Sequence, residues 1–420
     1  MTSAHRVLLI CYYFPPLGGA GINRPMNLVK YLPDHGVACD VLTVKPVAYR
    51  HYEPELLDEI ENINVHRAGS RDPQRLLYLL GVRRVREGTI RKSRGFSARF
   101  FPDSKIGWVG PAVRLGRRLM MKRCYDAIIS TSPPVSCHLV GREIHRQCNV
   151  PWIADFRDLW TAYSIEEWYK QQTQVERARK LLDEIRKSAD MVTAVNRATA
   201  AYTGATEVIR NAFDPQRARL WRSKPDTRRF RIGLLGTIDA MRSAGPLLKL
   251  LARLREDHPG QFDTLRLIQV GDIHDPEGFR AAIEDCGLGG RIESYGVQTR
   301  GRSIELLSPA SALYIGTTGA SSKAITTGRV FDLIASGRPM IVAAQPDSEL
   351  SLLTGKLPGV IRFDPNTNPP PAVVSALSAL VERWRDGELA VTPLQAYSRP
   401  FSAGYQAEQF AGLIKDLSRH

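Results

Sequence analysis

The sequence predicts an α/β protein of two doubly wound domains, each a parallel sheet covered by helices on both faces. Three observations point there. At 420 residues the chain is longer than a single core usually organises. Short apolar runs rich in β-branched residues alternate along it with longer amphipathic stretches, the rhythm of strand, crossover helix and next strand. One polar stretch, Arg222–Arg229, interrupts that rhythm, which then resumes.

In the first half the strand-like runs are Val7–Cys11, followed by the helical stretch Pro25–Tyr31; Ala38–Thr43; Ala127–Ser130, followed by Ser136–Arg146; and Trp152–Ala154. The second series reads Phe230–Leu235, Gly245–Arg255, Leu265–Val270, Phe279–Asp285, Arg291–Tyr295, Ile304–Leu307, Ala312–Ile315, Arg329–Ser336 and Met340–Ala344. The closing segment Ala396–His420 sets Tyr405, Phe410, Leu413, Ile414 and Leu417 at helical spacing and is too short to be a domain. The expected division is 1–210, 211–395 and a terminal helix, 396–420, docked back on the first domain.

Composition narrows the function. With 24% charged and 43% hydrophobic residues the chain is neither collagen-like, coiled-coil nor of low complexity. Its net charge of +15 is uneven: residues 1–220 hold 34 basic and 22 acidic side chains, residues 221–420 hold 24 and 21. A nucleic-acid binder basic throughout would not divide so; one domain facing an anionic surface would. The six cysteines include no C-x-x-C pair, and neither they nor the nine histidines form a metal or disulfide pattern. A reducing cytosol and no bound metal are expected. No apolar run approaches the ~18–20 residues that cross a bilayer, and the N-terminus runs into a strand, not a signal peptide. Any membrane contact is therefore expected to be peripheral.

In doubly wound sheets ligands bind beyond the carboxyl ends of the strands, so the segments after the apolar runs carry the chemistry. After the first comes PPLGGAG, Pro15–Gly21, where Gly18, Gly19 and Gly21 let backbone approach a ligand ahead of a helix that holds Arg24. It is either a plain turn or a phosphate or sugar loop. PWIADFRDLW, Pro151–Trp160, runs an apolar strand into Asp155, Arg157 and Asp158, which are either a salt-bridge knot or site residues. STSPP, Ser130–Pro134, supplies Ser132, with His138 one turn into the next helix as a packed residue or a participant. In the second half Gly236 and Thr237 precede Arg242, a turn and a cation suited to a diphosphate. The densest cluster is Ser321–Val342, in which Lys323, Thr326, Thr327, Gly328 and Arg329 surround a helix start suited to an anion, with Asp332 one turn inside.

Taken in order, these constellations resemble the retaining glycosyltransferases of the GT-B fold, family four, and a bacterial subgroup of it in particular. The strings that carry the resemblance are YYFPPLGGAG (Tyr12–Gly21), PDSKIGW (Pro102–Trp108), STSPP, PWIADFRDLW and LGTIDAMR (Leu235–Arg242). To these are added EVIRNAFDP (Glu207–Pro215) and GRVFDLIASGRP (Gly328–Pro339). The resemblance spans roughly Val7 to Gly355. It implies two Rossmann-like domains facing across a cleft, the first binding an acceptor and the second a nucleotide-diphospho-sugar. It further implies hexosyl transfer with retention of configuration, without metal or other cofactor. The acceptor would be a lipid-linked glycan or polysaccharide precursor.

On this reading Arg242, Lys323 and Asp155 are expected to form the catalytic set, with Lys323 or Arg329 the nearest cation to stand in for the family's missing arginine. The donor is met by Gly18, Gly19, Gly21, Gly236, Thr237, Arg242, Gly296, Lys323, Thr327, Gly328, Arg329 and Asp332. Arg24, Ser132, His138, Arg157 and Asp158 face the acceptor. Four positions depart from the family pattern: its lysine is Arg242 here, which keeps the charge, its arginine is Thr237, which does not, and its two glutamates are Ala324 and the shorter Asp332. Two alternatives stand beside this reading: a GT-B epimerase or hydrolase of nucleotide-sugars, which would share the donor domain but need no acceptor, and, motivated by Thr237 and Ala324, a catalytically degenerate membrane-associated partner in polysaccharide assembly.

Between Arg75 and Arg99 eight basic residues stand against one acid, Glu87, interleaved with Leu76, Leu77, Tyr78, Leu79, Leu80, Val82, Val85 and Phe96. Such a segment suits an anionic membrane surface, at about 1 kcal/mol per basic residue, or a solvated helix packed by its apolar side. No nucleic-acid motif accompanies it. A cytoplasmic protein resting peripherally on the inner face of the plasma membrane is the expectation.

Overall fold

Two parallel sheets carry the chain in a computed structural model that describes residues 5–49, 51–85, 100–158, 172–222, 225–389, 391 and 398–419. The first has seven strands: His5–Ile10 (β1), Val37–Val44 (β2), Val65–Ala68 (β3), Ala127–Ser132 (β4), Trp152–Phe156 (β5), Met191–Ala194 (β6) and Glu207–Val208 (β7). They lie in the order β3-β2-β1-β4-β5-β6-β7. The second has six: Phe230–Leu235 (β8), Leu265–Val270 (β9), Ile292–Ser294 (β10), Ala312–Gly316 (β11), Met340–Ala343 (β12) and Val360–Phe363 (β13), in the order β10-β9-β8-β11-β12-β13.

The central strands are mostly apolar and buried because helices cover both faces, and the polar side chains they carry toward their carboxyl ends, such as Thr131 and Asp155, are hydrogen-bonded inside. Along β1, Leu8 and Ile10 join one core with Leu42, Ile128, Trp152 and Ala154. Their neighbours Val7 and Leu9 join another with Val41, Ile129 and Ile153. The second sheet repeats the arrangement, Ile232 and Leu234 packing with Leu267 and Tyr314 on one face, Ile268 and Val270 with Leu313 and Ile315 on the other.

Contacts divide the chain into Met1–Ala212 together with Ala403–His420, and Phe213–Ser402. The terminal helix Ala403–Leu417 lies on the helix Asn23–Tyr31 and adds Ala407, Phe410, Ala411 and Ile414 to the core around Val7 and Leu9.

Several elements escape a reading of periodicity. Strand β3 is VHRA, in which His66 and Arg67 break the apolar run, and β7 is only two residues at the sheet's end. The helix Ile106–Lys122 holds Gly107, Gly110, Pro111 and Gly116, all poor local helix formers. Tertiary packing explains two of them: a Cβ on Gly107 would lie 2.8 Å from the Arg71 backbone carbon, and one on Gly116 would strike Ile144. Strand β13 and the helices Gln172–Ser188 and Pro371–Arg385 are further additions. The basic segment divides. Its first part forms the helix Pro73–Leu79 and the turn after it, whereas residues 86–99 lie outside the described ones. Among the described residues no helix is long and apolar enough to cross a membrane.

Candidate active site

Strand order reverses between β1 and β4 in the first sheet and between β8 and β11 in the second. At such a switch point the connections leave toward opposite faces and open a crevice at the carboxyl ends. The PPLGGAG, STSPP, LGTIDAMR and Ser321–Val342 segments end or follow these four strands, while PWIADFRDLW lies on and after β5 and Gly296 follows β10.

In the first unit the glycine loop is tied to the segment His51–Glu53. Gly18 N–H donates to the His51 carbonyl at 2.9 Å, and Glu53 N–H to that of Pro16 at 3.0 Å. Gly19, at φ +87°, donates its N–H to the Glu53 carboxylate at 3.0 Å, and that carboxylate fills the space a Cβ on Gly18 would need. At the loop expected to approach a phosphate through Gly18 and Gly19, a carboxylate stands at the Gly19 N–H. Nothing in the local sequence signals it, because Glu53 arrives from 34 residues away.

Arg24 and Asp155 take the knot alternative. The Arg24 guanidinium grips both Asp155 oxygens, at 2.8 and 2.7 Å, and the same carboxylate accepts from Thr131 at 2.6 Å and Thr193 at 2.8 Å. Both charges are buried. Burial drives the Asp155 carboxyl up, and Arg24 with the two hydroxyls outweighs it, leaving the group below its usual range. Enclosed by four donors, Asp155 is a positioning group where a catalytic one was expected, and Arg24 does not face an acceptor. Arg24 also donates to the Arg210 carbonyl at 3.0 Å and Asn27 to that of Ala212 at 3.2 Å, so the knot anchors the segment that leaves this unit.

His138 is likewise corrected from an acceptor-side residue to a core one. Its Nδ1 lies 2.8 Å from Ser130 Oγ, which accepts from Trp152 Nε1 at 2.8 Å, and its ring packs on Phe156 with centroids 4.4 Å apart. Burial pushes the imidazole down to about 3, so it is neutral at physiological pH.

Arg157 joins the two loops of the switch point. It donates from Nη1 to the Gly21 carbonyl at 2.5 Å, from Nε to that of Ser132 at 3.0 Å and from Nη2 to that of Pro133 at 3.1 Å. Asp158 is exposed beside it. The PDSKIGW string does something its sequence did not disclose. Asp103 accepts from the Ser136 N–H (2.9 Å) and hydroxyl (2.8 Å), capping the helix Ser136–Cys148, while Lys105 sits over the Tyr12 ring and binds Gln74 at 2.6 Å. Tyr12 in turn donates to Asp72 at 2.7 Å.

In the second unit three glycines close the ends of adjacent strands. Gly236 (φ +89°) follows β8, Gly271 (φ +140°) follows β9 and Gly296 (φ +61°) follows β10. Gly271 donates to the Gly296 carbonyl at 2.8 Å, and a Cβ on it would run into the Gly236 backbone. Gly271 was not anticipated, although V-G after an apolar run is a visible signal. Under Gly236 lies Arg329, which donates Nη1 to the Leu235 carbonyl and, at 3.3 Å, to that of Thr237. Burial and then Arg242 pull the Arg329 guanidinium down to about 10.

Arg242 is latched to Asp239, whose carboxylate accepts Arg242 Nε at 3.1 Å, Nη2, and the Arg242 N–H at 2.8 Å. Thr318 ties the loop after β11 to this one, donating its N–H to the Met241 carbonyl at 2.7 Å. Lys323 is exposed on the turn Ala320–Ala324. Three buried polar atoms here, Thr317 Oγ1, Thr327 Oγ1 and Arg329 Nε, have no hydrogen-bond partner. Such atoms are costly in a finished interior and suit a crevice awaiting a polar ligand. Asp332 is half-buried in the helix Arg329–Ala335 that follows Gly328; burial pushes its carboxyl up to about 6, against the opposing pull of Arg300 and Arg217. Among the described residues no group of His, Cys, Asp and Glu could hold a metal ion.

No protein-family model and no curated protein matches the sequence. Solved structures do match its fold. HepE of Anabaena in complex with UDP is 16% identical, covering 98% of this chain and 100% of its own with a TM-score of 0.65. The sucrose-phosphate synthase of Thermosynechococcus elongatus is 15% identical over 98% and 99%, at 0.59. The lipopolysaccharide outer core galactosyltransferase WaaB, in its apo form, is 13% identical over 98% and 99%, at 0.56. With a seven-stranded and a six-stranded parallel sheet, each covered by helices, the chain has the two Rossmann-like domains of the GT-B fold.

Proposed function

We propose that this protein is a retaining, metal-independent glycosyltransferase of the family-four kind, moving a hexosyl unit from a nucleotide-diphospho-sugar to a glycan or lipid-linked acceptor. The observation that carries the reading is the second unit's switch point. Glycine-lined strand ends lie beside two guanidinium groups and three unsatisfied buried polar atoms, a crevice able to take a diphosphate and a ribose. Structures of HepE contain UDP and UDP-glucose, which supports a nucleotide-sugar as the donor here.

In this mechanism Arg242 exchanges Asp239 for the departing diphosphate, Lys323 adds a second cation and Asp332 receives the ribose hydroxyls. Arg329 holds the Gly236 turn in place. The bond from the anomeric carbon to the phosphate oxygen breaks as charge develops on a phosphate already paired with fixed cations, the acceptor hydroxyl forms the new glycosidic bond on the same face, and its proton passes to a donor phosphate oxygen. Thermal shift with uridine, guanosine and adenosine diphosphates tests the donor site: one of them should raise the midpoint by RT ln(1 + [L]/Kd) worth of stability. Failure of every nucleoside diphosphate to bind would instead favour the catalytically degenerate reading that Thr237 and Ala324 motivate.

The acceptor side is proposed to rest on an anionic membrane at the cytoplasmic face. Around the helix Pro73–Leu79, Leu79 is 63% and Leu80 80% exposed, with Leu76, Leu77 and Val82 also open to solvent. Arg75 and Arg83 lie against the Tyr78 ring in the same patch. Apolar side chains flanked by guanidinium groups suit an interfacial contact. The protein should pellet with phosphatidylserine-containing vesicles at low salt and be released at high salt. Replacing Leu76, Leu79 and Leu80 by Ser should weaken pelleting severalfold; equal pelleting of that variant would remove the patch from the contact.

A further inference from the structure

We propose that Arg157 recognises an anionic group, a phosphate or a carboxylate, on the acceptor, from the β1–β4 switch point of the first unit. The inference rests on the glycosyltransferase reading and names the chemistry of its second substrate. Arg157 lies where a doubly wound sheet admits ligands, bridging the loop after β1 and the loop after β4. Its charge acts on Cys11 and Tyr13 on the β1 side and on Cys137 and His138 on the β4 side, so it stands between the two.

The guanidinium spends three of its five N–H groups on the carbonyls of Gly21, Ser132 and Pro133. These are neutral acceptors, so the positive charge is held in place without being cancelled. Among the described residues Arg157 forms no ion pair; the carboxylate that acts on it most, Asp155, is gripped by Arg24. The Nη2 atom lies at the solvent-exposed side. A planar cation clamped at three points, with N–H groups left over and one end open, is preorganised for an oxyanion and binds it without first ordering a flexible side chain. Holding these three carbonyls leaves two N–H groups and the charge of Arg157 uncommitted. The excess of basic residues in the first half adds a field that draws an anion to this unit.

The shared chemistry has two sources, a phosphate linking the acceptor to its carrier or the carboxylate of an acidic sugar. The full-length protein is titrated calorimetrically with methyl phosphate, glucuronic acid and, as a neutral control, glucose, in the wild type, Arg157→Gln and Arg157→Lys. At least one anion is expected to bind the wild type, to weaken about tenfold or more in Arg157→Gln, and to weaken by a smaller factor in Arg157→Lys, whose point charge lacks the fork. Preference for methyl phosphate identifies the carrier phosphate, and preference for glucuronic acid identifies an acidic sugar. Should Arg157→Gln lose cooperative unfolding, the comparison rests on Arg157→Lys alone. No anion binding by the wild type, or the same affinity in wild type and folded variants, overturns the proposal. A parallel titration with the nucleoside diphosphates separates the two readings. Nucleotide binding without Arg157-dependent anion binding rejects this inference only. The reverse rejects the transferase reading and leaves an anion site without an acceptor role.

Discussion

Replacing Arg24 by Ala should destabilise the first unit by about 3–5 kcal/mol, read as a lower denaturation midpoint of the full chain. The magnitude follows from what is left behind. Asp155 would remain buried among Thr131 and Thr193 with its bidentate partner gone, and an uncompensated charge in an interior costs far more than a lost surface pair. Two further losses accompany it: the bond to the Arg210 carbonyl, and the stacking of the guanidinium over Phe410 of the terminal helix at 5.1 Å. Asp155→Asn in the Arg24→Ala background removes the orphaned charge and should recover part of the loss, so the two substitutions will not add. A loss below about 1 kcal/mol in Arg24→Ala, within the range of exposed ion pairs, would show that the knot does not hold this unit together.

The second large effect concerns chemistry. Arg242→Ala should lower transfer from a nucleotide-sugar by on the order of tenfold or more in kcat, the scale of one electrostatic contact made to a developing charge. The Arg242 side chain is 37% exposed at the mouth of the β8–β11 crevice, and Asp239 holds its guanidinium through Nε and Nη2 and its backbone N–H besides, so it is ordered before any ligand arrives. Because Asp239 occupies it in the unliganded protein, Asp239→Asn should tighten nucleoside diphosphate binding while leaving Arg242 in place. Unchanged kcat in Arg242→Ala would take this residue out of the mechanism and pass its role to Lys323.

The glycine loop with Arg24, His138, and the pair Asp155 and Arg157 sit on three short stretches of sequence, yet the structure gives them different tasks. Asp155 and Arg157 are two residues apart. On a strand, residues at that spacing point to one face, but β5 ends at Phe156, so Asp155 is enclosed by Arg24 and Arg157 turns out over the loops. His138 sits one turn into its helix, and that turn faces Ser130 and Phe156 in the core. Glu53 carried no motif at all and nonetheless decides what the Gly19 N–H meets.

By itself the sequence determined the α/β class, the central strands of the two parallel series and the loops that end them, because buried parallel strands read as apolar runs and glycine is favoured at the positive-φ turns after β8, β9 and β10. It also placed the densest polar cluster after β11 and the cationic turn after β8. Which charged residues are neutralised inside and which are turned outward was decided only by tertiary structure. That outcome depends on partners more than a hundred residues apart, as with Arg24 and Asp155 or Arg157 and Gly21, and no local spacing records who the partner is.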